Sequence, residues 1–167
     1  MENYFIKDNN VVFIEGVNDD FLMKKFNSKR EYLCNYGIRS TPFRTELLEI
    51  FMENSYGLTH KDLQQRIKSN PDKATIYRAL DIFLEKGVIH KVPGFNSVSK
   101  YALTQEEVSC HSENHAHFLC KRCKKTFCMN DLALPEYTNF NGFSITSARL
   151  VLEGICPSCA EQEVVVG

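Results

Sequence analysis

The stretch THKDLQQRIKSNPDKATIYRALDIFLEKGVIHKVPGFNSVSKYAL, residues 59–103, decides how the chain folds. Thr59 is a helix N-cap for HKDLQQRIKS, whose Leu63 and Ile67 stand four residues apart on one face. Asn70-Pro71 breaks that helix. The spacing then predicts a second helix from about Ala74 to Lys86, burying Ile76, Leu80, Phe83 and Leu84 and stopping at Gly87. Beyond Gly87 the period changes to alternation. VIHKV and VSKYAL, separated by Pro93-Gly94-Phe95-Asn96-Ser97, read as a β-hairpin.

Upstream, Ser40 or Thr41 caps another helix, with Pro42 in its first turn, Glu46 nearby, and Phe43, Leu47, Leu48, Ile50 and Phe51 at helical spacing. A further helix over DDFLMKKFNSKREYLCNYG ends at Gly37, and NVVFIEGV before it reads as strand. Helices followed by a hairpin are the order of a winged helix-turn-helix, in which the helix over 74–86 would enter a DNA major groove and the hairpin would be the wing. A helical bundle carrying an unrelated hairpin fits the same pattern. After Thr104 the chain reads as strands HAHFLC and TFCMN, a short helix near 131–139, and a long strand GFSITSARLVLEGIC. The fold class is therefore α+β, an N-terminal winged helix-turn-helix domain followed by a small α/β unit. Expected boundaries are an N-terminal extension over 1–30, a DNA-binding domain over 31–104 and a metal-binding domain over 105–167.

With 167 residues, 43% hydrophobic and 25% charged, the chain has globular proportions, and no apolar run reaches the roughly 20 residues of a membrane span. The net charge of −1 is unevenly distributed: residues 21–100 hold fourteen Lys/Arg against eight acids, and the flanking segments are acidic. A basic middle suits a phosphate-bearing partner. Seven cysteines and no apolar leader predict a reducing, cytoplasmic setting in which thiols bind metal. No membrane association and no small-molecule substrate are expected.

Cys120-Lys121-Arg122-Cys123 and Cys156-Pro157-Ser158-Cys159 are two CxxC turns with 32 residues between them. Each turn offers two sulfurs to one ion, and two turns complete a closed tetrahedral shell of the structural zinc type. A redox dithiol is the rival, but that motif normally occurs once and in a βαβ unit. A second group comprises His90, Cys110, His111, His115, His117 and Cys128. On a strand, His115 and His117 share a face. Cys128 in the next strand and His90 in the wing could complete a site joining the two halves. Three imidazoles and a thiolate favour zinc over harder cations. Around the reading helix, Arg39, Arg44, Lys73, Thr75, Tyr77 and Arg78 are candidate DNA contacts, since Arg clamps phosphate or guanine and Tyr offers a ring and a hydroxyl. Solvated charge is the plainer reading of Lys61, Arg66 and Lys86.

TPFRTELLEIF, THKDLQQRI, KATIYRALDIFLEKGVIHKV, HAHFLCKRCKKTF and GFSITSARLVLEGICPSC, in this order, resemble the ferric uptake regulator family of metal-dependent repressors over about Tyr32 to Glu161. The resemblance implies a homodimer, a winged helix reading operator DNA, a C-terminal α/β dimerisation domain and a regulatory metal at the hinge. It assigns Cys120, Cys123, Cys156 and Cys159 to structural zinc, and His115 and His117 to the regulatory ion. It places His90 at the hinge position typical of the zinc-uptake branch; Cys110 and His111, read from the residue cluster itself, are further possible ligands. Tyr77, Arg78 and Arg44 fall on its DNA-contacting positions, and Arg39 on one that reaches the minor groove.

Some positions depart from the family pattern. Cys128 stands where relatives have Asp or Glu. Ala102 replaces a usual metal ligand. The loop around Tyr56-Gly57 lacks the histidine of the iron and peroxide branches, with His60 displaced from it. Lys124 replaces a glycine. The expected second ion is zinc rather than iron or manganese, with iron or peroxide sensing as the alternative. A winged-helix zinc-ribbon transcription factor with no sensing role is a third reading. A metal-dependent hydrolase or deaminase would need HExxH or HxE…PCxxC, and neither full pattern occurs.

Overall fold

The computed structural model describes residues 2–7, 10–15, 28–95, 98–104, 115–133, 139–146 and 148–164. Two strands at the start, β1 (Glu2–Lys7) and β2 (Asn10–Glu15), pair antiparallel as a hairpin. The expected strand near Asn10 is present; its partner β1 was not expected. Of the first expected helix, the described part is α1 (Lys29–Asn35), capped by Ser28, whose hydroxyl accepts from the Glu31 amide. This helix begins inside the segment expected as an extension, and its Lys29 ion-pairs with Glu49 of the next helix.

That next helix is α2 (Pro42–Met52), capped by Thr41 with Pro at its start. Glu46 is not used in the cap. Its carboxylate accepts from the Lys68 and Ser69 amides and so ties α2 to the turn before the reading helix. A short strand β3 (Leu58–Thr59) leads into α3 (His60–Arg66), where Thr59 and Asp62 form a reciprocal capping box. Helix α4 (Lys73–Glu85) is capped by Asp72, and Gly87 leaves it at φ 73, the left-handed conformation glycine adopts without strain. The wing strands β4 (Ile89–Val92) and β5 (Lys100–Leu103) follow, in a sheet of order β3-β5-β4. One apolar cluster from Tyr32 to Tyr101 unites α1 to α4 with this sheet, as in a winged helix-turn-helix.

The second half holds β6 (His115–Cys120), β7 (Thr126–Ala133), the small hairpin β8 (Asn139–Phe140) and β9 (Phe143–Ser144), β10 (Val151–Gly154) and α5 (Pro157–Val164). Its sheet has the order β10-β6-β7, with β10 parallel and β7 antiparallel to β6. Three expectations are corrected here. The short helix near 131–139 is not formed at either described end: 131–133 continue β7 and 139–140 open β8. The long strand over 142–156 is interrupted: β9 ends at Ser144, where it pairs back on β8, and strand resumes only at Val151, where β10 pairs with β6. The second CxxC opens helix α5, since Pro157 suits a first helical turn. Among the described residues no helix is long and apolar enough to cross a membrane.

Candidate metal centres and the interface between the halves

The parallel pairing of β6 with β10 sets Gly154 beside Cys120, so both strands end at the same edge of the sheet. The first CxxC turns back immediately after β6, with Lys124 N donating to Cys120 O at 3.0 Å. The second CxxC begins two residues after Gly154. The sulfurs of Cys120, Cys123, Cys156 and Cys159 consequently lie within 4.8 Å of one another, with Cys123 and Cys156 3.8 Å apart. Arg122 Nη1 donates to Cys159 O at 2.7 Å and closes one turn onto the other. Burial opposes ionisation of Cys120, but amide hydrogen bonds, that of Cys156 first, outweigh it and draw the thiol down to about 6. Burial pushes Cys156 up to about 12 and raises Cys159. Four converging sulfurs of which one ionises readily and two resist are a donor set that a divalent cation would satisfy.

The second centre lies between the halves. On β4 the side chains of His90 and Val92 share a face, and their partners on β5 are Ala102 and Lys100. This face lies against β6 and β7, where His117 is paired with Cys128. His90, His115, His117 and Cys128 each bring a donor atom to within 4.8 Å of the others. His90 Nε2 is 3.3 Å from Cys128 Sγ, and its Nδ1 is 3.5 Å from Thr104 Oγ1, which orients the ring. The His115 and His117 rings are 4.6 Å apart, and His117 Nε2 is buried without a hydrogen-bond partner among the described residues. Burial, then His115 and His117, push His90 down to about 3; burial, then His115 and Arg149, push His117 down to about 4. Burial pushes the Cys128 thiol up to about 12. Neutral imidazoles gathered around a buried thiol are preformed ligands, and a metal entering there would displace the thiol proton. Ala102 lies on this face opposite His90 but carries no donor atom. Cys110 and His111 lie outside the described residues.

A set of contacts that sequence reasoning missed lies beside this centre. Lys100, buried on β5, donates through Nζ to the Lys124 carbonyl and to Thr126 Oγ1 at 3.1 Å. Thr126 Oγ1 in turn donates to Pro93 O at 2.9 Å, and Gly57 N donates to Thr126 O at 2.7 Å. Burial lowers the Lys100 pKa, opposed by Asp62 and Cys123. A Cβ at Gly57 would meet Val92 Cγ2 at 2.4 Å, so this loop approaches the wing too closely for a histidine there. Lys100 shares its strand face with Ala102, yet only the packing of the two halves identifies that face as covered.

Four of the candidate DNA contacts lie in the first turns of α4 and two flank the start of α2. Lys73, Tyr77 and Arg78 are exposed, while Ile76, Ala79, Leu80 and Phe83 are buried. Thr75 is committed to the cap: its amide donates to Asp72 Oδ1 at 2.8 Å and its hydroxyl to Oδ2 at 2.7 Å. Arg44 Nη1 donates to Arg39 O at 2.8 Å, which sets both arginines at the start of α2.

A winged helix packed through a nitrogen–sulfur cluster against a second, cysteine-bearing sheet is the architecture of metal-responsive transcriptional regulators. The chain belongs to the ferric uptake regulator family, whose model matches residues 35–153. It is 27% identical over 137 residues to a peroxide-responsive repressor of Staphylococcus saprophyticus, covering 78% of this chain and 88% of the relative. It is 29% identical over 149 residues to a zinc uptake regulation protein of Escherichia coli (strain K12), covering 81% and 82%. These near-equal identities do not select a signal. A solved structure of a zinc uptake regulator complexed with zinc and DNA shares the fold, with a TM-score of 0.60, 24% identity and coverage of 87% of this chain and 97% of that one.

Proposed function

We propose that this chain is a zinc-sensing repressor that binds operator DNA as a homodimer. Cys120, Cys123, Cys156 and Cys159 hold a structural zinc, and His90, His115, His117 and Cys128 hold the sensed ion. The observation that carries this reading is the convergence of three imidazoles and one thiol, drawn from the wing and from β6 and β7, on one buried point. That set contains no carboxylate, which favours zinc over manganese or iron. An ion held there links the reading helix to the second half, so its binding energy selects one arrangement of the two. Arg39, Arg44, Lys73, Tyr77 and Arg78 supply the DNA contacts, with Thr75 fixing the start of α4. The domains follow 31–104 and 105–167, with 1–30 as an extension, and the protein works in the cytoplasm.

The test is elemental analysis of protein purified without added metal, followed by titration of binding to a duplex selected from a random library by the zinc-loaded protein. Two zinc ions per chain are expected, one of them labile, and removal of the labile ion should release the DNA. DNA binding indifferent to that ion would leave only the zinc-ribbon reading. Equal response to Fe²⁺ and release by peroxide would establish the iron or peroxide reading instead.

A further inference from the structure

We infer that His60 is a positioning residue for the DNA contact made by Tyr77: its imidazole, at the start of α3, holds the Tyr77 ring in place on α4. The inference rests on the reading of Tyr77 as a DNA contact. The two rings are stacked, with centroids 4.3 Å apart and planes 21° from parallel. They come from successive helices of the helix-turn-helix, so the stack spans the turn. The backbone of His60 is anchored, because it directly follows Thr59 and the capping box formed with Asp62. Tyr77 is 42% exposed, and Lys73 Nζ lies 5.8 Å from its ring centroid. An exposed tyrosine on a helix keeps rotamer freedom that it must give up on binding. Stacking on His60 removes that freedom before DNA arrives.

The polar end of His60 does not account for its place. Nε2 is shielded from solvent and has no hydrogen-bond partner among the described residues. It therefore neither ties the ring to the protein nor meets a phosphate without displacement of its cover. Burial, with Lys73 second, lowers the His60 pKa, so a neutral ring stacks against Tyr77. The packing of α3 and α4 is carried elsewhere, by Leu63 and Ile76, both fully buried in the common core. Loss of the stack should thus spare the fold.

The experiment measures binding of the zinc-loaded protein to the selected duplex for His60→Ala, His60→Gln, His60→Phe, Tyr77→Ala and the His60→Ala/Tyr77→Ala pair. His60→Ala and His60→Gln should each lose affinity roughly three- to tenfold, the range an aromatic pair supplies. Their melting curves, zinc response and salt dependence should match the parent, since no phosphate contact is removed. His60→Phe keeps the stack and should restore affinity. In the Tyr77→Ala background, His60→Ala should have no further effect. Additive losses, failure of phenylalanine to restore binding, or a shallower salt dependence in His60→Ala would overturn the positioning role. A weakened Tyr77→Ala beside an unaffected His60→Ala would overturn it alone, whereas parent affinity in Tyr77→Ala would also remove the reading on which it rests.

Discussion

In the winged-helix half, eighteen apolar side chains from Tyr32 to Tyr101 form one buried cluster. In the metal-binding half, the buried cluster among the described residues is Cys120, Cys156 and Cys159, flanked by the partly buried Phe118 and Phe127. Large apolar residues there, among them Leu132, Phe143, Val151 and Ile155, remain exposed in the single chain. The first half has a continuous apolar core, the kind of core that hydrophobic burial stabilises. The second places thiols where other small domains place leucines, and such units draw their stability from a metal. On the proposed reading, one chain joins a reading module held by apolar burial to a module whose order depends on metal. The imidazole–thiol cluster lies where they meet, and the proposed sensing uses it to change their arrangement without dissolving the reading helix.

The largest effect that can break this contrast is removal of one structural sulfur. Cys156→Ser should lose its ion and most of the order of β6, β7, β10 and α5, since structural zinc contributes on the order of 10 kcal/mol to such units. Amide hydrogen exchange should show that loss while α2 and α4 keep their protection. A uniform loss across both halves would mean that they fold as one. The mirror experiment is Phe83→Ala in the apolar cluster, which should cost about 3–5 kcal/mol in urea unfolding and leave the zinc content unchanged.

Acidification sharpens the comparison at the interface. His90 at about 3 and His117 at about 4 lie below the usual imidazole value, so the unfolded chain takes up protons first. Stability of the metal-free protein should be complete above about pH 6.5 and should decline as pH falls toward 4. Thermal melts across that range check the sign, and a decline that vanishes in a His90→Ala, His117→Ala double variant would assign it. His90→Ala alone is a smaller change. It should keep the structural zinc and the fold but abolish the gain in DNA affinity on adding zinc, where a tenfold gain corresponds to about 1.4 kcal/mol. If His90→Ala still responds to zinc, Cys110 and His111 are the next ligands to test.

The smallest effect concerns Lys124, which follows the first knuckle at φ 61. A non-glycine residue in that conformation is strained, and Lys124 offsets this only in part through its ammonium 4.8 Å from the Phe95 ring. Lys124→Gly should stabilise the metal-binding half by about 0.5 kcal/mol, read as a small rise in melting temperature with the Lys100 contact retained. A fall would show that the lysine side chain does more than tolerate the turn.

Much of this molecule was readable along the chain because the signals are local. Thr41, Thr59 and Gly87 act within one helical turn of themselves, and the change of period after Gly87 marks the wing without reference to distant residues. CxxC is local too, which is why both knuckles were legible before any strand order was known. The expected long strand over 142–156 and the helix near 131–139 failed for the opposite reason. Apolar alternation does not say which partner a strand will find, and pairing of 143–144 with β8 but of 151–154 with β6 divided the segment.

By itself, the sequence determined the winged helix, the two cysteine pairs, the candidate ligands at 90, 115, 117 and 128, and the family pattern that joins them. Each depends on spacing over a few residues or on side-chain chemistry that no fold alters. Tertiary structure alone decided that Lys100 would be buried against Lys124 and Thr126, that Gly57 has no room for a histidine, and that His60 would lie beneath Tyr77. Those outcomes depend on which strand face and which helix end are covered by residues 17 to 69 positions away. Covering is a property of packing, set by the total apolar and polar surface each half must bury, and no local pattern encodes it.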